Sequence, residues 1–139
     1  MLQRKQTLWA LLAVACAIAT FKLPFYSGVR LSVTPANLSQ YLTATDNIGI
    51  LIITAIITGA GLANIFNYKK QGSQLLITLG LIILSLLNIF LYYQETLKFQ
   101  NGTYALTSIF ALAIPVLFFM ATRGINRDRK LLKNADRLR

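Results

Sequence analysis

Four apolar stretches, each 19 or 20 residues long, constrain this chain more than any other feature. They cover residues 7–26, 47–66, 75–93 and 104–122. A helix rises 1.5 Å per residue, so each stretch is long enough to cross a hydrocarbon layer of ~30 Å. What lies between them is short: 27–46, 68–74 and 94–103, followed by a tail at 123–139. The 139 residues have room for one domain. The expected fold is therefore an all-α membrane protein, a four-transmembrane-helix bundle occupying residues 1–122.

Composition agrees. Apolar residues make up 55% of the chain and charged residues 13%, against ~25% charged in an ordinary globular domain. Mean hydropathy is +0.57. The first stretch, basic MLQRKQ followed by a run rich in alanine, also fits the pattern of a signal peptide. Its apolar character continues through Tyr26, and Trp9 and Phe25–Tyr26 are placed like interfacial anchors, so a retained helix is expected.

Charge sets the expected orientation. Arg4, Lys5, Lys69, Lys70 and seven tail residues fall on one side of the four spans, and Lys22, Arg30 and Lys98 on the other. Eleven against three places both termini in the cytoplasm by the positive-inside rule. Of the outer loops, 27–46 alternates Val29, Leu31 and Val33 with polar residues, a short strand pattern. Thr34–Pro35 then reads as a helix start. Asp46 is the expected N-cap of the second span, and Asn101–Gly102 an expected turn. Together the loops are expected to form a small outer cap. Two glycosylation sequons, at Asn37 and Asn101, are read as chance and turn chemistry.

Lipid is as apolar as leucine, so helices in it associate through close packing and polar contacts. Ala55, Gly59 and Ala63 form a small-residue stripe in the second span and are expected to pack against a neighbour. Thr78, Ser85, Asn88 and Tyr92 share one face of the third span. That face is read first as interhelical hydrogen bonding and second as the wall of a polar pathway. Pro115 is expected to kink the fourth span.

Catalytic chemistry finds little footing. There is no histidine, one cysteine (Cys16), and outside the tail only two acids, Asp46 and Glu95. No metal-binding spacing, phosphate loop or nucleophile–base pair is present. No enzyme activity, cofactor or metal is expected.

The tail RGINRDRKLLKNADRLR carries seven Lys or Arg against Asp128 and Asp136. As a helix it is amphipathic, with Leu131, Ala135 and Leu138 along one face. Arg127, Arg129, Lys130, Lys133, Arg137 and Arg139 occupy much of the rest. Such a cluster attracts anionic lipid headgroups at roughly 1 kcal/mol per charge. It also suits docking on a partner protein. RNA or ribosome contact ranks last, because no aromatic interleaves the basic residues.

The two ends, with Gln3, Arg4 and Gln6 at the start and Lys130 to Arg139 at the finish, resemble a family of small four-helix membrane proteins of unknown function from Bacteroidota. Members begin M-[I/L]-Q-R-x-Q and end D-R-L-R. The resemblance implies an inner-membrane location and no assigned activity. The functional expectation is a non-enzymatic accessory or scaffold subunit whose tail docks on lipid or a partner. The alternative is a small transporter or oligomeric channel using the polar face of the third span.

Overall fold

A computed structural model describes residues 3–30, 39–67 and 70–137. Along these the order is α1 (Gln3–Ala19), β1 (Tyr26–Arg30), β2 (Ser39–Leu42), α2 (Ile48–Phe66), α3 (Gln71–Thr96), β3 (Phe99–Tyr104) and α4 (Ser108–Arg137). The helices alternate in direction. α1 packs against α2 and α4, and α3 closes the ring between those two. A small antiparallel sheet, ordered β2-β1-β3, sits at one end of the bundle. Lys5 of α1 and the basic residues of α4 gather at the other.

Three helices, α2, α3 and α4, are long and apolar enough to cross a membrane. α1 has 17 residues and reaches about 26 Å, and the helix expected to run to Tyr26 stops at Ala19. Pro24 supplies the reason. It offers no N–H and disfavours helical backbone at Leu23. The chain leaves through tight turns, with Lys22 N–H and Leu23 N–H both donating to the Ala19 carbonyl. In the other direction, α3 and α4 outrun their apolar stretches. α4 continues unbroken through Pro115 and deep into the basic tail.

The outward surface is apolar. Ile48, Ile52 and Phe66 of α2, Leu76, Ile83 and Phe90 of α3, and Ile109, Val116 and Phe119 of α4 all face out. Inside, Thr54, Asn64, Thr78, Ser85 and Asn88 are buried. An apolar outer surface, with polar side chains kept among the buried residues, is unlike a water-soluble bundle, and with three spanning-length helices it points to a membrane protein.

Two apolar clusters hold the bundle. Mid-bundle, Phe118 meets Ala13 and Ala17 of α1, Ile57 of α2 and Leu81 of α3. At the sheet end, Phe25, Leu42 and Phe99 pack on Ile50, Tyr92 and Ala111, and the Phe25 and Tyr92 rings stack with centroids 4.4 Å apart. Hydrogen bonds also join the segments that enter and leave the sheet. Phe25 N–H donates to the Leu42 carbonyl at 2.7 Å and Ala105 N–H to the Phe25 carbonyl at 3.1 Å, and the Thr107 hydroxyl donates to the Pro24 carbonyl.

The strand expected near Val29 begins earlier, at Tyr26. Residues 31–38, including Thr34–Pro35, lie outside the described residues. The continuation expected as helix is strand at Ser39–Leu42, paired with β1. Cross-strand hydrogen bonding outweighs a weak local helix preference there. Asn101–Gly102 is a bulge in β3 opposite Gly28, with Asn101 at φ 50°. Gly28 and Gly102 face each other, and a Cβ on Gly28 would stand 2.8 Å from Gly102 Cα. Asn47, rather than Asp46, caps α2: its Oδ1 accepts from Gly49 N–H at 2.8 Å. The Asp46 carboxylate instead folds back on Thr43, taking its N–H at 2.5 Å and its hydroxyl at 2.8 Å.

Candidate functional site

Two places in the bundle collect polar side chains that helix formation alone does not require. The first is a seam between α2 and α3. On α3 the buried residues Gln74, Thr78, Ser85, Asn88, Tyr92 and Glu95 recur every three, four or seven positions, which is one helical face. The facing stripe of α2 is Ile50, Thr54, Ile57, Gly61 and Asn64. Asn64 Nδ2 donates to Thr78 Oγ1 at 2.8 Å, and the Thr78 hydroxyl donates to the Gln74 carbonyl at 2.7 Å. Further along, Asn88 Nδ2 donates to Thr54 Oγ1 at 3.1 Å. At the sheet end Glu95 Oε1 accepts from Asn47 Nδ2 at 2.6 Å and from Lys98 Nζ at 2.5 Å.

The seam is not saturated. Asn64 Oδ1, Gln74 Oε1 and Asn88 Oδ1 are buried without a hydrogen-bond partner. Thr78, Ser85, Asn88 and Tyr92 all lie on this face. Gln74 and Glu95 extend the same period, so their membership was legible. Thr54 and Asn64 were not, because nothing local says which face of α2 meets α3.

The small-residue stripe needs correction. Ala55, Gly59 and Ala63 point away from the bundle, and a Cβ on Gly59 would meet nothing within 4 Å. The glycine that lets helices approach is Gly61, where a Cβ would lie 2.7 Å from Val14 Cγ2 and 3.4 Å from Phe118 Cζ. In α1, Ala13 and Ala17 are fully buried and Ala15 is exposed.

The second place is the basic end. Every described residue of α4 from Arg129 onward is exposed, so Leu131, Ala135 and the cations around them face no other part of the described chain. Leu138 and Arg139 lie outside the described residues. Below this overhang, α1 and α4 enclose a cleft of ≈ 250 Å³. Lys5, Arg123 and Arg127 bring positive charge to it, and Trp9, Phe119 and Met120 an apolar wall. Gln6 and Asp128 complete it; they are 4% and 7% exposed. Gly124 permits the closeness, since a Cβ there would sit 3.0 Å from Gln6 Cβ. Arg123 and Arg127 also border a second basic groove, with Asn126 and Lys130.

A family model described as a domain of unknown function, DUF4293, matches residues 2–138. The chain belongs to the DUF4293 family. No curated protein and no solved structure matches it. The DUF4293 match covers α1 and nearly all of the tail, so the seam and the basic cleft both lie inside it. Gln6, one of the residues at the start of this DUF4293 chain that carried the resemblance, is also the buried amide of the cleft.

Chemically, the seam of this DUF4293 protein is a set of hydrogen-bonding amides and hydroxyls that ends in the Glu95 carboxylate. Among the described residues no three His, Cys, Asp or Glu side chains come together. The seam's effect on stability is expected to be modest, since interhelical hydrogen bonds in bilayers average ~0.6 kcal/mol. Asn88→Leu, which loses the bond to Thr54 and also removes an unpartnered oxygen, should change unfolding stability by less than about 1.5 kcal/mol. Denaturant unfolding in mixed micelles checks this. A loss above about 3 kcal/mol would mean that Asn88 anchors a larger network than its one bond to Thr54.

Proposed function

We propose that this DUF4293 protein is a multi-pass protein of a bacterial cytoplasmic membrane, of the Bacteroidota type. It crosses the bilayer four times with both ends in the cytoplasm, α1 and its following turns supplying the shortest crossing. Its role is that of a non-enzymatic accessory or scaffold subunit, whose tail helix docks on anionic lipid and on a partner protein. The observation that carries the reading is α4 itself. It outruns its apolar stretch and presents Arg129, Lys130, Lys133 and Arg137 around Leu131 and Leu132, two leucines 48% and 54% exposed. A helix stabilised only by its membrane-embedded half does not need that apolar strip, and an amphipathic basic helix gains from lying on a headgroup layer or a protein. The excess of Lys and Arg at this end supports its cytoplasmic placement.

The test compares two full-length proteins. One is the natural chain, and the other carries Arg129→Gln, Lys130→Gln, Lys133→Gln and Arg137→Gln. Co-purification in mild detergent should recover a partner with the first and lose it with the second. Binding to phosphatidylglycerol vesicles of a peptide spanning the tail should weaken in the same variant. Identical co-purifying proteins and identical vesicle binding would remove the reading. A recovered fraction made of RNA or ribosomes would replace it with the third option.

The buried, unpartnered oxygens of the α2–α3 seam favour a second reading, a small transporter or oligomeric channel using the polar face of α3. It predicts that Asn88→Leu abolishes solute flux in proteoliposomes while leaving the protein folded. Unchanged flux would end that reading.

A further inference from the structure

The cleft between α1 and α4 holds two opposite chemistries within ≈ 250 Å³. Lys5, Arg123 and Arg127 offer positive charge. Gln6 Oε1 and Asp128 Oδ2 are buried acceptors with no donor among the described residues. A buried acceptor left without a donor is costly, and more so when it is charged. An anion alone suits the three cations and aggravates Asp128. A cation alone suits Asp128 and is repelled by the arginines. One molecule carrying both a phosphate and an ammonium satisfies each group, with the phosphate on the arginine side and the ammonium N–H groups meeting Gln6 and Asp128 as those side chains turn toward the cleft. The remaining wall extends this logic. Trp9, Phe119 and Met120 line the cleft from the apolar stretches of α1 and α4, and Phe119 and Met120 are exposed on the outward surface, so a ligand seated here has its polar part among the charges and an apolar part against these side chains. A tryptophan at the edge of the apolar zone is also at home at headgroup depth.

We propose that this cleft is a binding site for one phospholipid whose headgroup bears a primary ammonium, as in phosphatidylethanolamine. The site rests on the reading that the basic end lies at the headgroup layer of a membrane. It differs from the tail surface in using a defined, half-enclosed position and in preferring a zwitterion to an anion. Phosphatidylcholine offers the same phosphate and no ammonium N–H, so it leaves Gln6 and Asp128 unmet. Phosphatidylglycerol offers no cation at all.

The experiment is native mass spectrometry of the full chain released from bilayers holding equal amounts of phosphatidylethanolamine, phosphatidylglycerol and phosphatidylcholine. One retained phosphatidylethanolamine per chain is expected, enriched about tenfold or more over the other two, the scale of an unmade charged hydrogen bond. This comparison needs no mutant. In Asp128→Asn the preference should collapse, phosphatidylglycerol rising to match, while Arg123→Gln with Arg127→Gln should lose the adduct altogether. Equal retention of all three lipids by the natural chain, or an Asp128→Asn protein with its preference intact, would overturn the site. So would soluble phosphoethanolamine stabilising the protein against heat as well as the lipid does, because the occupant would then be a metabolite. None of the four tail cations replaced in the docking test lines this cleft. Lost docking with retained lipid therefore indicts the tail reading, and retained docking without lipid indicts the site.

Discussion

Phe118→Ala should destabilise the bundle by about 3 kcal/mol, more than any other single truncation. The ring is fully buried and central. It packs with Ala13, Cys16 and Ala17 of α1, Ile57 of α2, Leu81 of α3, and Ile114 and Leu117 of its own helix. In water-soluble cores Phe→Ala costs ~3–5 kcal/mol, part of it transfer of the ring to water and part the cavity left behind. In a bilayer the unfolded reference keeps the ring in lipid, so the cavity and lost dispersion contacts dominate and the lower end is expected. Trp9, the sole tryptophan, packs against the same cluster and supplies an intrinsic fluorescent probe for unfolding in mixed micelles. A loss below about 1 kcal/mol would show that the helices do not converge on this ring.

Gly61→Leu should be nearly as damaging, through overpacking instead of a void. The first added atom already stands 2.7 Å from Val14 Cγ2, closer than carbon atoms approach, and 3.4 Å from Phe118 Cζ. α1 and α2 must separate, at a cost of about 1–3 kcal/mol or more. Two comparisons make the result specific. Gly59→Leu adds the same side chain two residues away, where nothing lies within 4 Å, and should leave the monomer's stability within about 0.5 kcal/mol. Gly61→Ala combined with Val14→Ala should recover much of the loss of Gly61→Ala alone, because the atom it strikes is gone. If Gly59→Leu proves as harmful as Gly61→Leu, the inner face of α2 has been assigned wrongly.

Those two glycines mark where reading the chain stops. A four-residue spacing makes Ala55, Gly59 and Ala63 one stripe, and Gly61 sits about 200° from Gly59 on the helix. In water, the apolar face of α2 would declare itself as the buried one. In lipid both faces are apolar, so α2 has no hydropathic inside. Its neighbours choose the face by shape, and Val14 and Phe118 choose Gly61. α3 was legible for the opposite reason. Thr78, Ser85, Asn88 and Tyr92 are polar atoms in a lipid-soluble helix, and hydrocarbon offers them no partner. They had to turn inward, and they face α2 through Thr54 and Asn64.

The basic end divides in the same way. The concentration of charge beyond residue 122, and its helical amphipathicity, are present in the linear chain. The cleft is not. Lys5 and Gln6 are more than a hundred positions from Arg123, Arg127 and Asp128, and only the packing of α1 on α4, with Gly124 against Gln6, brings them together. Likewise the sheet joins residues 26–30, 39–42 and 99–104 through backbone pairing that no local pattern specifies. The sequence by itself determined that helices of membrane length would form, which face of α3 would be buried, and where positive charge would gather. These follow from period, length and the cost of unpaired polar groups. Only the tertiary structure decided where α1 hands over to the sheet, which glycine admits a neighbour, and that Gln6 and Asp128 share a pocket with three cations. Those depend on shape and on pairs distant in the chain, to which a local pattern is blind.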